Sequence, residues 1–450
     1  MLTKAHDVEP HMIEWRDLFR GACAAVVRPG STAEVAAVMA IAAELGTPVV
    51  PQGGNTGLVG GQIPFDTGAI VISLQRLNRV RTVDPASNTM IVEAGLTLSG
   101  VQVAAETADR LFPLSLASEG SCTIGGNIAA NAGGTAVLAY GNTRDLVLGL
   151  EVVLADGRIW NGLRSLRKDN TGYDLKNLFI GSEGTLGIVT AAALKLYPRP
   201  KAVETAMIAL ETPEAMLALF ERASAKAGRM LTTFEFMPAI GLEFVLRHAA
   251  GTRDPFTERY PWVVLMELTS GTEGSLRPVL EGILEGALEA GEAVDAVLAE
   301  SLDQRKGLWK LREDLSEVQR FEGGSIKHDI SVPIASLPRF LSEASDAVTR
   351  LVPGCRVVAF GHFGDGNVHF NVSQPVGMDK PAYIARWEEM NALVHAIVTT
   401  LHGSISAEHG IGILKRDLLP DVKSAVELDL MRAIKQTLDP AGILNPGKVL

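Results

Sequence analysis

Between residues 20 and 200 the apolar positions fall into short runs, set apart by turns rich in glycine, asparagine and aspartate. "TPVV" (47–50), "AIVISL" (69–74), "TMIVEAG" (89–95), "LGLEVVLADG" (148–157) and "GIVTAAALKLYP" (187–198) are short and bounded by breakers, which predicts strands. "STAEVAAVMAIAAELG" (31–46) predicts a helix: Ser31 and Glu34 form a capping-box pair at its start, and Gly46 is a stop. After "YPRP" at 197–200 the texture changes. Apolar strands near 205–210, 230–236, 262–268 and 293–298 alternate with amphipathic helices over 212–227 and 274–290. That alternation predicts an open sheet with helices on one face. A hairpin over 356–373 joins the sheet, and a helix follows over 382–401.

The hairpin carries the first chemical signal. In "FGHFGDGNVHFN" (360–371), Asp365-Gly366 has the form of a two-residue turn, which sets His362 opposite His369. Directly opposed residues have Cβ atoms roughly 4.5–5.5 Å apart, so two imidazoles can converge on one ion. Asn371 lies two residues beyond His369 and shares its face. Two structural histidines bonded to backbone fit the same local pattern. Five of the nine histidines fall between 362 and 409, and "SAEHGIG" sets Glu408 beside His409. Two histidines and a carboxylate, His362, His369 and Glu408, suit Zn²⁺ or another divalent first-row ion such as Mn²⁺. A histidine that is not a ligand, His409, is then suited to act as a base near neutral pH.

Composition narrows the setting. A length of 450 residues allows about three domains of ~150 and ample cores. Hydrophobic content of 47% with 21% charged residues is that of a globular chain. The net charge of −11, without a long basic run, argues against nucleic acid or an anionic membrane as partner. The N-terminal stretch has no apolar core of the signal-peptide kind, and no apolar run approaches the ~20 residues of a membrane span. Cys23, Cys122 and Cys355 are scattered without a CxxC pair, so neither disulfides nor a thiolate metal site is expected. A cytoplasmic location fits.

Three glycine-rich segments carry the second signal. "PQGGNTGLVGG" (51–61) follows a strand but is not GxGxxG leading into a helix, so a dinucleotide-fold reading fails. Backbone N–H groups in successive glycine turns still form anion-binding concavities. Seven of the thirty residues from 120 to 149 are glycine, yet Ile124, Ile128, Val137 and Leu138 lie among them, unlike a flexible linker. Together with "SEGSCTIGGNIAANAGGTAVLAYGNTRDLV" (118–147) and "NTGYDLKNLFIGSEGTLGIVT" (170–190), the first loop resembles the FAD-binding domain of the vanillyl-alcohol oxidase and p-cresol methylhydroxylase (PCMH) superfamily. With GHxGDGNxHxN, "SAEHGIG" and the closing "LNPGK", the whole chain resembles the FAD- and metal-dependent D-2-hydroxyacid dehydrogenases. "LWKLREDLSE" and "IKHDISVP" are most similar to the D-2-hydroxyglutarate branch.

The resemblance implies an α+β fold. A PCMH-type FAD-binding domain of two α+β subdomains would span 1–200, and an antiparallel-sheet α+β substrate or cap domain with the metal site 201–410. A C-terminal segment, 411–450, would return to the FAD domain. It implies FAD contacts from Pro51, Gly53, Gly54, Asn55, Thr56, Gly57 and Leu58 around the pyrophosphate. Ser118, Gly120, Thr123, Gly125, Asn127 and Gly134 would line the flavin, with Glu183, Gly184, Gly187 and Ile188 near the adenine side, and Asn445 completing the set. The first loop lacks the histidine or cysteine that some members use for covalent attachment, so non-covalent FAD is expected. Arg312, Ser316, Lys327, Asn371 and His409 match substrate-contacting positions, with a serine at 316 where the branch often has threonine. The implied reaction oxidises a D-2-hydroxy acid by hydride transfer to flavin N5, with His409 as base. D-2-hydroxyglutarate is the expected substrate, and D-lactate, glycolate or D-malate the alternatives. The expected acceptor is an electron-transfer flavoprotein or a quinone, and a homodimer is compatible. A metallohydrolase would leave the glycine loops unexplained, and a non-catalytic flavin subunit would leave the histidines so.

Overall fold

The computed structural model describes residues 1–450 and divides into two compact units. One comprises Met1–Gly134, Gly141–Arg199 and Glu408–Leu450; the other comprises Thr135–Tyr140 and Pro200–Ala407. The sequence expectation put these crossings after residues 200 and 410.

After a short helical stretch over 5–11, the first unit continues with β1 (Ala25–Val27), α1 (Thr32–Leu45), β2 (Val49–Gln52) and β3 (Ile70–Ser73). These strands form a small parallel sheet in the order β1-β3-β2. Helix α1 buries Val35, Met39 and Ala42, one stripe at helical spacing. The Ser31 side chain accepts the Glu34 N–H, and Gly46 ends the helix at φ +65°. The Glu34 carboxylate turns to the Gly30 N–H at 2.7 Å rather than closing the reciprocal box. Next come β4 (Val80–Asp84), β5 (Thr89–Glu93), α2 (Leu98–Thr107), α3 (Ile124–Ala130), β6 (Val147–Val153), β7 (Ile159–Gly162) and β8 (Ile188–Lys195). The five strands form an antiparallel sheet in the order β4-β5-β8-β6-β7. Central β8 reads "IVTAAALK"; its alanines 191–193 are fully buried, and α3 packs on this strand.

The second unit holds β9 (Ala202–Leu210), α4 (Pro213–Ala227), β10 (Leu231–Pro238), α5 (Ala239–His248), β11 (Trp262–Ser270), α6 (Arg277–Glu289), β12 (Asp295–Leu298) and α7 (Leu302–Glu313). It continues with α8 (Leu315–Val318), β13 (Ser325–Ser331), α9 (Leu337–Leu351), β14 (Arg356–His362), β15 (Asn367–Ser373) and α10 (Trp387–Thr400). Seven strands form one antiparallel sheet in the order β12-β9-β11-β10-β14-β15-β13. Helices cover both faces, not one as the pattern predicted. Met237 on β10 packs with Leu242, Leu308 and Leu311 on one face. Phe234, of opposite parity, meets Phe220 of α4 on the other, with ring centroids 5.3 Å apart. Burying one such ring is worth about 1.5–3 kcal/mol, so each helical layer is needed. The helix expected over 382–401 is broken into Lys380–Ile384 and α10.

The hairpin differs from the expected register. Phe363–Asp365 forms a 3-10 turn closed by Gly366 at φ +79°, so four residues connect the strands instead of two. His362 therefore pairs with Asn367, and His369 with Phe360. A slip of two residues preserves parity, so both histidines still share one face, as diagonal neighbours. Their ring centroids lie 5.4 Å apart.

The chain ends in the first unit with α11 (Ala425–Leu438), opened by a complete Ser424–Glu427 capping box.

Candidate active site

In the first unit the glycine segments interlock. A Cβ on Gly53 would stand 2.3 Å from Thr123 Oγ1, and one on Gly54 would stand 2.0 Å from the Ser121 carbonyl. Only hydrogen fits there, so the first loop lies directly on the segment that starts α3. Asn55 donates to the Pro10 and Ile13 carbonyls, and Asn445 donates to those of Gly61 and Glu183. The buried Thr123 Oγ1, Asn55 Oδ1 and Asn445 Oδ1 have no hydrogen-bond partner. Buried polar atoms are rarely left so, and a polar ligand lying on these loops would satisfy them. The cradle fits FAD: a wall of glycines with polar atoms left to pair.

Sequence reasoning assigned Glu183 to the adenine side, but its carboxylate is spent inside the protein. Its Oε1 accepts the Ile411 N–H at 2.7 Å and its Oε2 the Gly412 N–H at 2.8 Å. Burial pushes its pKa up, against those two donors and the positive charges of Lys415 and Lys448. Glu408 Oε1 accepts the Gly134 N–H at 2.9 Å. Glu408 and His409 are both half-buried.

In the second unit the expected polar residues gather on one face of the sheet. Strand parity and register set Lys327, Asp329, Phe360, His362, Asn367, His369 and Asn371 on that side. Lys327 pairs with Asn371, and Asp329 with His369. Arg312, near the end of α7, is buried on this face, its guanidinium 4.9 Å from the Phe360 ring centre. Ser316 lies four residues further on, in α8, and is exposed, as is Lys327. Asn371 donates to Gln319 Oε1 at 3.0 Å, while its buried Oδ1 has no partner. His328 points its Nδ1 at the Phe370 carbonyl, 2.7 Å away.

Three carboxylates organise this face, and sequence reasoning missed all three. Glu235 pairs with His362 across β10 and β14; its Oε1 lies 2.6 Å from His362 Nδ1. The same carboxylate accepts from Arg312 Nε at 2.8 Å and meets Nη2 at 2.8 Å. Burial acts to raise its pKa, but His362 and Arg312 outweigh it and hold the carboxyl below its usual range. With Nδ1 turned to Glu235, Nε2 is the nitrogen that His362 would offer a metal ion. Asp329 Oδ1 lies 3.8 Å from His369 Nδ1 and accepts from Asn367 at 3.0 Å. Asp365 is pushed up to about 6 by burial, with His362 acting the other way. The signal was present: Glu235 interrupts the buried apolar strand "LTTFEFMP", and a buried charge needs a partner. An imidazole held by a carboxylate, beside a second imidazole on the same face, is a donor set that suits a divalent first-row ion, so the residues fit one.

Two family models match the chain. Residues 23–162 match the FAD binding domain, and residues 199–449 match the C-terminal domain of FAD linked oxidases. The glycine cradle and these matches define an FAD-linked oxidoreductase. The chain is 40% identical over 458 aligned residues to the mitochondrial D-2-hydroxyglutarate dehydrogenase of Bos taurus, covering 100% of this chain and 81% of the relative. It is 39% identical to the D-2-hydroxyglutarate dehydrogenase of Xanthomonas citri pv. viticola, covering 99% and 93%. The corresponding Stutzerimonas stutzeri protein is 35% identical, covering 100% and 96%. The chain belongs to the family of FAD-linked D-2-hydroxyacid dehydrogenases that these relatives represent. Among solved structures, p-cresol methylhydroxylase with substrate bound superposes with a TM-score of 0.77 at 16% identity, covering 100% of this chain and 93% of that one. An alkyldihydroxyacetonephosphate synthase gives 0.73 at 21% identity, covering 97% and 80%. The PCMH-type fold is thereby established, and no helix is long and apolar enough to cross a membrane.

Proposed function

We propose that this chain oxidises D-2-hydroxyglutarate to 2-oxoglutarate, with His362, His369 and Glu408 holding a divalent cation, Zn²⁺ or Mn²⁺, and His409 accepting the hydroxyl proton. The observation that carries the reading is the single sheet face on which two imidazoles lie beside Arg312, Lys327 and Asn371. Cations, an amide and oriented imidazoles on one surface suit an anion that also bears a hydroxyl. When bound, FAD supplies the two-electron acceptor for the hydride leaving C2, and the cation supplies Lewis acidity at the hydroxyl.

The chain's own residues do the rest. Arg312 and Asn371 orient the acid, and Lys327 contributes a cation for its distal carboxylate. Ser316, at the start of α8, adds a hydroxyl. A neutral imidazole suits proton removal near pH 7, so His409 takes the proton as the C2–O bond becomes a carbonyl. Glu408 is the residue after Ala407, whose N–H meets the Asp329 carbonyl at 3.3 Å. Asp329 in turn pairs with His369.

Anaerobic bleaching of the flavin by a panel of D- and L-2-hydroxy acids tests the assignment. D-2-hydroxyglutarate is expected to reduce it fastest and the L-acids not at all. Faster reduction by D-lactate, glycolate or D-malate would move the substrate within the family.

A further inference from the structure

We infer that Glu183 is a positioning residue for His409, acting through the loop that carries the histidine; the inference rests on His409 being the base. Glu183 adopts φ +52°, the left-handed region that few residues other than glycine enter. Every polar group it has is engaged. Its N–H donates to the Ala129 carbonyl at 2.8 Å, and its own carbonyl accepts from Asn445 at 2.8 Å. Its two carboxylate oxygens take the N–H groups of Ile411 and Gly412, one each. Residues from α3, the "GSEG" turn, the C-terminal tail and the returning loop thus meet at one residue, its backbone holding the first and third and its carboxylate the last.

The loop between is held at both ends. Glu408 Oε1 is fixed by the Gly134 N–H, and residues 411 and 412 are fixed by Glu183, leaving His409 and Gly410 as the span between them. Beyond it, the Ile413 and Leu414 N–H groups meet the Val59 carbonyl at 2.9 and 3.2 Å, and the Val449 N–H meets that of Gly412 at 2.9 Å. Gly410 sits at φ +83°, and a Cβ there would stand 2.7 Å from Glu183 Oε1. The loop therefore lies flat on the carboxylate, with no side chain between. A carboxylate is the group this arrangement needs: two N–H donors point at it, and only an anion offers both oxygens as acceptors.

The test uses full-length FAD-loaded protein. Glu183→Gln keeps the shape but opposes an amide NH₂ to one of the two N–H groups. Flavin reduction by D-2-hydroxyglutarate should slow about 10–100-fold, the cost of a small misplacement of a catalytic group, while FAD content and KM stay near the parent's. His409→Asn should lose about 10²–10⁴-fold. The double variant should be no slower than His409→Asn alone, because the first change acts through the second residue. Gly410→Ala presses on the same contact from the loop side and should reproduce the pattern; it serves if Glu183→Gln fails to fold. Losses that multiply in the double variant, or FAD lost from Glu183→Gln, would overturn the inference alone. Parental flavin reduction in His409→Asn would overturn it together with the reading of His409 as base.

Discussion

Replacing Glu235 by glutamine should weaken metal binding without removing a ligand. One carboxylate serves two clients, His362 Nδ1 at 2.6 Å and the Arg312 guanidinium at 2.8 Å. Glutamine has one acceptor oxygen and one NH₂, so it can satisfy only one of them. If the oxygen stays with Arg312, the NH₂ faces Nδ1, which must become an acceptor. The ring proton then moves to Nε2, the nitrogen a metal would use, and binding has to expel it. If the oxygen stays with His362, the NH₂ faces a buried guanidinium of the same polarity. Either way the negative charge that raises the basicity of His362 is gone.

Losing such a partner of a ligating histidine typically costs 10–100-fold in metal affinity, about 1.4–2.7 kcal/mol. Alanine is the poorer test. It strands Arg312 without its anion, a change worth about 3–5 kcal/mol of stability, eased only in part by the Phe360 ring. The assay is competition for Zn²⁺ between purified Glu235→Gln and a chromogenic chelator, with the flavin spectrum recorded alongside. A variant that holds zinc as tightly as the parent would refute the reasoning, since neither the tautomer of His362 nor its basicity would then depend on Glu235.

Glu322 is held at about 2, burial acting upward but outweighed by His248, Arg356 and Arg247. Its folded value lies below the unfolded one, so the stability it gives is full above the usual carboxylate range and is lost as pH falls towards 2. Glu322→Gln should therefore melt lower than the parent at pH 7, and thermal melts should show the gap closing in acid. Dialysis against a chelator should stop turnover and leave the visible flavin spectrum intact, because two of the three proposed ligands, His362 and His369, lie outside the unit that carries the glycine cradle. Precipitation with acid should leave the yellow colour in the supernatant: Cys122 is buried, and His11 holds Gln52 through Nδ1. Lys327→Met should cost the dicarboxylate about 1.5–3 kcal/mol in kcat/KM, the worth of a charge-assisted hydrogen bond, with a much smaller loss for D-lactate. Equal losses would remove Lys327 from substrate selection.

Much of the fold was legible because its signals are local. Ser31 and Gly46 bound a helix by chemistry within one turn, and the strands around 70, 90, 150 and 190 are marked by their own residues. What failed depended on partners distant in sequence. The helices over 213–227 and 302–313 are both amphipathic, and nothing in either says which face of the sheet it will cover. The helix break near Ala385 follows no proline or glycine at the break itself, so the sequence gives no marker for it. The hairpin shows the boundary most clearly. Asp365-Gly366 marked a turn, but a two-residue and a four-residue connection both use it, and only pairing settles which.

The shared sheet face survived that error for a physical reason. Side chains alternate with a period of two, so a slip of two residues leaves His362, His369 and Asn371 together, whereas a slip of one would have divided His362 from the others. Function here depends on which face a residue occupies more than on which residue lies opposite it. Glu235 and Asp329 escaped notice for the complementary reason: each is meaningful only through a neighbour on another strand, His362 at 127 positions away and His369 at the facing register. The carboxylate in "TFEFM" was visible as a charge inside an apolar strand, but its client was not. A buried charge in a strand is thus best read as a question about the adjoining strand. In this sheet the answer is an imidazole on one oxygen and a guanidinium on the other, so the proposed metal ligand His362 and the proposed substrate-binding Arg312 are both held by the same residue.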